Sequence, residues 1–181
     1  MFNYLLKEIK ECMDNGLYLA SLMLSLSIPD ICGKAIYKEI KNPGKRYIKW
    51  YDEWIYRNEE NDVDPCINGE IIYLFRCNMY HEGKAGLNVD KISNENNRIE
   101  KFRLIIDKKD DIYNKVLFSP NVYIDFSNNS VSKETGYRID AKRLSWDLYV
   151  NGFDCYEKNK DLFDTDTNTV MYVEKFLKPF V

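Results

Sequence analysis

Apolar residues recur at helical spacing in block after block across residues 1–90, and each block ends on a turn signal. Phe2, Leu5, Leu6, Ile9 and Met13 repeat three or four positions apart with charges between them, the stripe a helix buries against a core. Asn15-Gly16 closes that block, because both residues tolerate left-handed backbone. Leu17 to Leu26 is apolar nearly all round and predicts a buried helix packed on several sides. Ser27-Ile-Pro-Asp30 has the Ser-x-x-acid pattern of a helix start, with Pro29 acceptable in a first turn, and predicts a third helix over about 31–40. After the turn Asn42-Pro43-Gly44, Lys45 to Arg57 predicts a helix with Tyr47, Trp50, Tyr51 and Trp54 on one side. A polar loop, 58–68, leads to a further helix from Gly69 to His81, closed by Gly83; Gly86 marks a second break.

The texture then changes. Ile99 to Asp107 and Lys115 to Phe118 carry strand-like alternation, Val122 to Phe126 alternates strictly, and Asn128-Asn129 suits a hairpin tip. Helical spacing returns from Arg138 to Lys158 through Ile139, Leu144, Leu148, Val150 and Phe153, and Thr169 to Val181 predicts a last short helix. The fold class expected is α+β. A helical module over 1–90 is followed, over 91–181, by a small antiparallel hairpin sheet with one or two packed helices, the two parts forming one globular unit.

At 181 residues the chain is long enough to bury a substantial core. A net charge of -3 and a pI near 5.4 exclude a protein that coats nucleic acid by bulk electrostatics, though not a local basic groove. The five cysteines (12, 32, 66, 77 and 155) are scattered with no Cys-x-x-Cys pair, so neither a zinc site nor a disulfide framework is implied. The apolar stretch Leu17 to Ile31 reads as too short and too interrupted to span a bilayer, and residues 1–14 lack a signal-peptide plan. The expectation is a cytoplasmic protein without membrane, metal or cofactor.

The sole histidine, His81, closes the string Arg76-Cys77-Asn78-Met79-Tyr80-His81-Glu82-Gly83. Histidine is the proton carrier best matched to neutral pH. On a helix Arg76 and His81 stand about 140° apart, so one helix leaves such a pair short of a complete site. Two plainer roles stay open. His81 suits a helix C-terminus electrostatically, and Arg76 suits an ion pair with Glu70 or Glu82. Asp30 reads first as a helix cap and second as a carboxylate reaching the Arg76/His81 helix. Cys32 and Cys77 read as small buried hydrophobes, although Cys77 and His81 at i, i+4 leave a thiol enzyme open. Lys45 to Arg57 interleaves cations with aromatics, as single-strand RNA sites do, which makes Arg46 and Lys49 candidate substrate contacts alongside Asp30.

Leu26-Ser-Ile-Pro-Asp-Ile-Cys-Gly33, Arg46-Tyr-Ile-Lys-Trp-Tyr51 and the string from Arg76 to Gly83 resemble, in that order, segments of a family of uncharacterised bacterial proteins. The Arg-x4-His spacing resembles the signature of the HEPN superfamily, helical domains that include metal-independent ribonucleases. The resemblance implies a homodimer whose Arg76 and His81 line a composite cleft beside a two-fold axis. In it, His81 would act as general acid or base on RNA, and Arg76 would stabilise phosphoryl charge. Family members often carry a polar residue directly after the arginine; Cys77 stands there in this chain, and Asn78, one place later, takes the polar part. The expected function is an endoribonuclease of a bacterial toxin or defence system. The rival is a non-catalytic HEPN-like module that binds a nucleotide or a partner protein.

Overall fold

A computed structural model describes residues 1–57, 67–84, 101–106, 118–122 and 135–163; within the strands, side chains are described only for Leu104 and Asp140. The first block folds as α1, Phe2–Asp14, burying Phe2, Leu6 and Ile9. Its stripe packs on α2, Tyr18–Ser25, and on α6, Ala141–Lys158. Leu17 and Leu19 at the head of α2 are exposed while Leu22 and Leu26 are fully buried, so this helix has one wet side. It packs on two neighbours, α1 and α6, as a helix packed on several sides should, but its burial is partial.

The third helix, α3, begins at Ile28 rather than 31 and ends at Ile36. Ser27 does not cap it, because its hydroxyl bonds back to the Leu24 carbonyl at 2.6 Å. By length and composition the stretch Tyr18–Ile36, with mean hydropathy 1.4, is apolar enough to cross a membrane. Here a turn at 26–27 divides it, and both halves contribute to the core. The composition of this stretch therefore does not exclude a span in the way the sequence reading held.

Helix α4, Pro43–Tyr51, starts where Asn42 accepts the Lys45 N–H on its side-chain oxygen at 3.0 Å. It buries Tyr47, Trp50 and Tyr51 completely and continues as one π-helical turn, Asp52–Tyr56. Gly33 lets α3 approach it closely: a Cβ there would stand 2.9 Å from the Arg46 carbonyl oxygen. Helix α5, Gly69–Glu82, packs on α4 through Ile71, Ile72, Phe75 and Met79. Gly69 is required where the two cross, since a Cβ would fall 2.5 Å from the Ile48 carbonyl oxygen.

The α+β expectation is overturned: the body of the protein is helical. Three short strands, β1 (Lys101–Ile105), β2 (Phe118–Val122) and β3 (Thr135–Asp140), are attached to it in the order β1-β3-β2. They form no simple antiparallel sheet. β3 lies between the others, parallel to β1 and antiparallel to β2, so the two strands that fall within 99–126, β1 and β2, pair with β3 and not with each other. A period of two tells which residues share a face, not which strands are partners. Leu104 packs against the core. The proposed tip Asn128-Asn129 and the proposed last helix, 169–181, lie outside the described residues.

The segment 135–140, read partly as helix, is strand up to Asp140, whose carboxylate caps α6 by accepting the Arg143 N–H at 3.0 Å. Helix α6, Ala141–Lys158, buries Ala141, Leu144, Leu148, Gly152 and Cys155 against α1, α2 and α3. Val150 and Phe153, which share the helical spacing of Leu144 and Leu148, are exposed. The chain then turns through 160–162 to bring Phe163 onto Phe2, ring centroids 5.2 Å apart.

Candidate functional site

α5 is fixed at both ends before its motif residues are placed. Asn68 accepts the Ile71 N–H on its side chain at 3.2 Å, and Asp52 accepts the Gly69 N–H at 2.7 Å. The π turn beginning at Asp52 thus ties into the start of α5. The other end stops at Gly83, in left-handed backbone at φ 63°.

Between these ends the three motif residues face three directions. Taking Arg76 as zero, Asn78 lies about 200° and His81 about 140° round the axis. Asn78 is buried in the α5 interface, 8% exposed. His81 stands exposed at the last turn, and among the described residues its side chain makes no hydrogen bond or ion pair. Arg76 turns to α3 and donates from Nη2 to Asp30 Oδ2 at 2.8 Å, with the two side chains 25% and 28% exposed. The partner of Arg76 is therefore Asp30, not Glu70 or Glu82, and Asp30 reaches the arginine rather than orienting the imidazole.

Tyrosines enclose this pair. The Arg76 guanidinium lies 5.1 Å from the centre of the Tyr80 ring. The Tyr80 hydroxyl in turn donates to the Met23 carbonyl, tying α5 to α2. Tyr47 lies fully buried within electrostatic reach of Asp30 and Arg76, and its ring meets Tyr73 at 5.3 Å. Burial pushes the Tyr47 hydroxyl well above its ordinary pKa, and the Asp30 charge adds to this. Neither that hydroxyl nor the buried Nε of Arg46 or Arg76 makes a hydrogen bond. Position in the motif marks none of these tyrosines; only their helical spacing with Arg76 and Trp50 hints at them.

Burial also raises the Asp30 carboxyl above its ordinary value, and Arg76, then Arg46, pull it back only in part. Arg76 is held the other way: burial disfavours its charge, but Asp30 and Cys77 outweigh that and raise it. The short charged contact favours the charged form of both partners, and for the carboxylate burial outweighs it. A folded-state pKa above the unfolded one means that the native protein holds the Asp30 proton more tightly. This contribution is fully present below the unfolded value, about 4, and is lost as pH rises through the raised folded value. Relative to Asp30→Asn, the wild type is therefore expected to lose stability as pH rises from about 3 towards neutral. Urea titrations at several pH values check this. Asp52 and Asp147 are raised by burial as well, and comparison with the variant removes their shared contribution.

The candidate substrate contacts separate. Arg46 donates from Nη1 to the Ile40 carbonyl at 3.0 Å while facing Asp30. Lys49 lies over the Tyr37 ring at 4.4 Å and pairs with Glu53 at 3.9 Å. It lines a depression of about 260 Å³ that also holds Lys45, Arg57, Asp52 and Glu53, a mixed surface rather than a basic groove. Cys32 is buried, and Cys77 is only partly so, meeting Tyr73 and Arg76. Among the described residues no three His, Cys, Asp or Glu side chains are grouped to hold a metal ion. Comparison with protein-family models, with curated proteins and with solved structures gives no match.

Proposed function

We propose that this chain is a non-catalytic helical module of HEPN-like build that acts by binding rather than by turnover. The observation that carries this reading is the Asp30–Arg76 contact at 2.8 Å. An arginine that stabilises a phosphoryl transition state has to present uncompensated charge to it, whereas this one is matched by a carboxylate from the neighbouring helix. Its motif companions point elsewhere, Asn78 into the protein interior and His81 to solvent. Helical structure throughout the described part of residues 1–84 supports the HEPN-like build.

The metal-independent endoribonuclease is the second reading, and the exposure of His81 favours it, because a second α5 brought alongside would complete a composite cleft. Incubating purified protein with single-stranded and structured RNAs, EDTA present, separates the two. The module leaves both RNAs intact at high micromolar protein. Cleavage to 2′,3′-cyclic phosphate ends that vanishes in a folded His81→Ala variant would replace this reading with the ribonuclease, since general acid–base catalysis contributes ~10²–10⁴-fold.

A further inference from the structure

Helix α6 has two apolar faces, and the core uses one. Leu144, Leu148, Gly152 and Cys155 are buried. At about 100° per residue, Trp146, Val150 and Phe153 form a stripe on the opposite side of the helix. These three are 45%, 41% and 48% exposed. Tyr149 links them at the edge of the stripe, its ring centroid 5.7 Å from Trp146 and 6.5 Å from Phe153. The outward face of a surface helix is ordinarily polar; a continuous apolar stripe there marks an interaction surface. Its steps of four and then three residues match the spacing of a helix–helix seam.

The charges at the two ends of the stripe identify the occupant. Arg143 and Glu157 fall on the same line, one beyond Trp146 and the other beyond Phe153, and both are exposed. We propose that the α6 stripe docks a second copy of this chain, with the two α6 helices antiparallel and Val150 at the two-fold axis. In that arrangement Trp146 of each copy lies over Phe153 of the other, and Arg143 of each faces Glu157 of the other. A parallel pairing would set arginine on arginine and glutamate on glutamate. The patch is self-complementary, as an isologous dimer requires.

Within one chain Arg143 holds Asp147 at 3.2 Å and Glu157 holds Lys160 at 2.8 Å. Asp147 is buried, so Arg143 keeps that bond, made from Nε, and faces the other copy through its Nη groups; the exposed Glu157–Lys160 pair exchanges at little cost. From Arg143 to Glu157 the seam runs about 21 Å. One helix pair of that length buries less than the ~800 Å² per partner of a standard interface, so the dimer forms in the micromolar range. The axis is distinct from one beside Arg76, since α5 packs on α4 whereas α6 packs on α1, α2 and α3. The inference is independent of whether the chain cleaves RNA.

The test is the molar mass by light scattering from about 1 to 100 µM, a range that brackets micromolar affinity, together with two cysteine probes under mild oxidation. The wild-type mass should rise towards twice the monomer, and Val150→Glu should stay monomeric while keeping the wild-type helical circular dichroism. Val150→Cys should crosslink to a covalent dimer well above the wild-type background, and Glu157→Cys should not. A monomer throughout the range, a dimer unaffected by Val150→Glu, or self-crosslinking through Glu157→Cys would overturn the proposal.

Discussion

Trp50→Ala is expected to lower the unfolding free energy by about 3–5 kcal/mol, the range for truncating a large, fully buried aromatic. Trp50 has no exposed surface and reaches from α4 to α6. Its indole N–H donates to the Cys155 sulfur at 3.4 Å, and its ring stacks on Trp54 with centroids 6.1 Å apart and planes 10° from parallel. Truncation removes all three roles at once and leaves a cavity that Tyr47 and Tyr51, themselves fully buried on the same short helix, have little freedom to fill. Stabilities of 5–15 kcal/mol are usual, so urea titration followed by circular dichroism should show either a much lower midpoint or no cooperative transition. A loss below about 1 kcal/mol, the scale of an ordinary surface change, would mean that Trp50 does not join α4 to α6 in the way described.

The helices were legible in the sequence where periodicity and punctuation agreed. Phe2, Leu6 and Ile9 fall on the buried side of α1, Asn42 caps α4, and Gly83 supplies the left-handed end of α5. Legibility failed where the decisive partner was not the one the local pattern marks. Ser27 stands at the N-cap position of α3, as the Ser-x-x-acid pattern marked, yet its hydroxyl bonds backwards to Leu24 instead of capping, and α3 begins three residues earlier than expected. Strand alternation was present in part, but the central position of β3 depends on pairing that no single strand encodes. On α6, Val150 and Phe153 obey helical spacing as well as Leu144 and Leu148 do, and spacing alone could not say that one set faces away from the core.

The candidate site divides along the same line. Arg76, His81, Asn78 and Asp30 were all marked by residue type and position. What the sequence could not supply was that Asp30, 46 residues away, would take Arg76 for itself. The π turn beginning at Asp52 is a second case: it ties into the start of α5 through Gly69, and nothing in the Lys45–Arg57 periodicity signals it.

The Asp30–Arg76 pair carries the second large expectation. Arg76→Ala strands a carboxylate that is 28% exposed and already raised by burial, leaving Arg46 as the remaining nearby cation. Breaking one side of a buried pair costs about 3–5 kcal/mol; with a quarter of each side chain still in water, about 2 kcal/mol is expected here. Asp30→Ala should cost somewhat less, since burial penalises the carboxylate and its removal returns part of that penalty. The most direct measurement of whether Arg76 is a tie between helices is a double-mutant cycle on the unfolding free energy, using Arg76→Ala, Asp30→Ala and the double variant at neutral pH. If Arg76 is such a tie, the double variant loses less than the sum of the singles, by a coupling of about 1–2 kcal/mol. Additive losses, or an Arg76→Ala protein as stable as the wild type, would contradict it and leave that arginine free for chemistry.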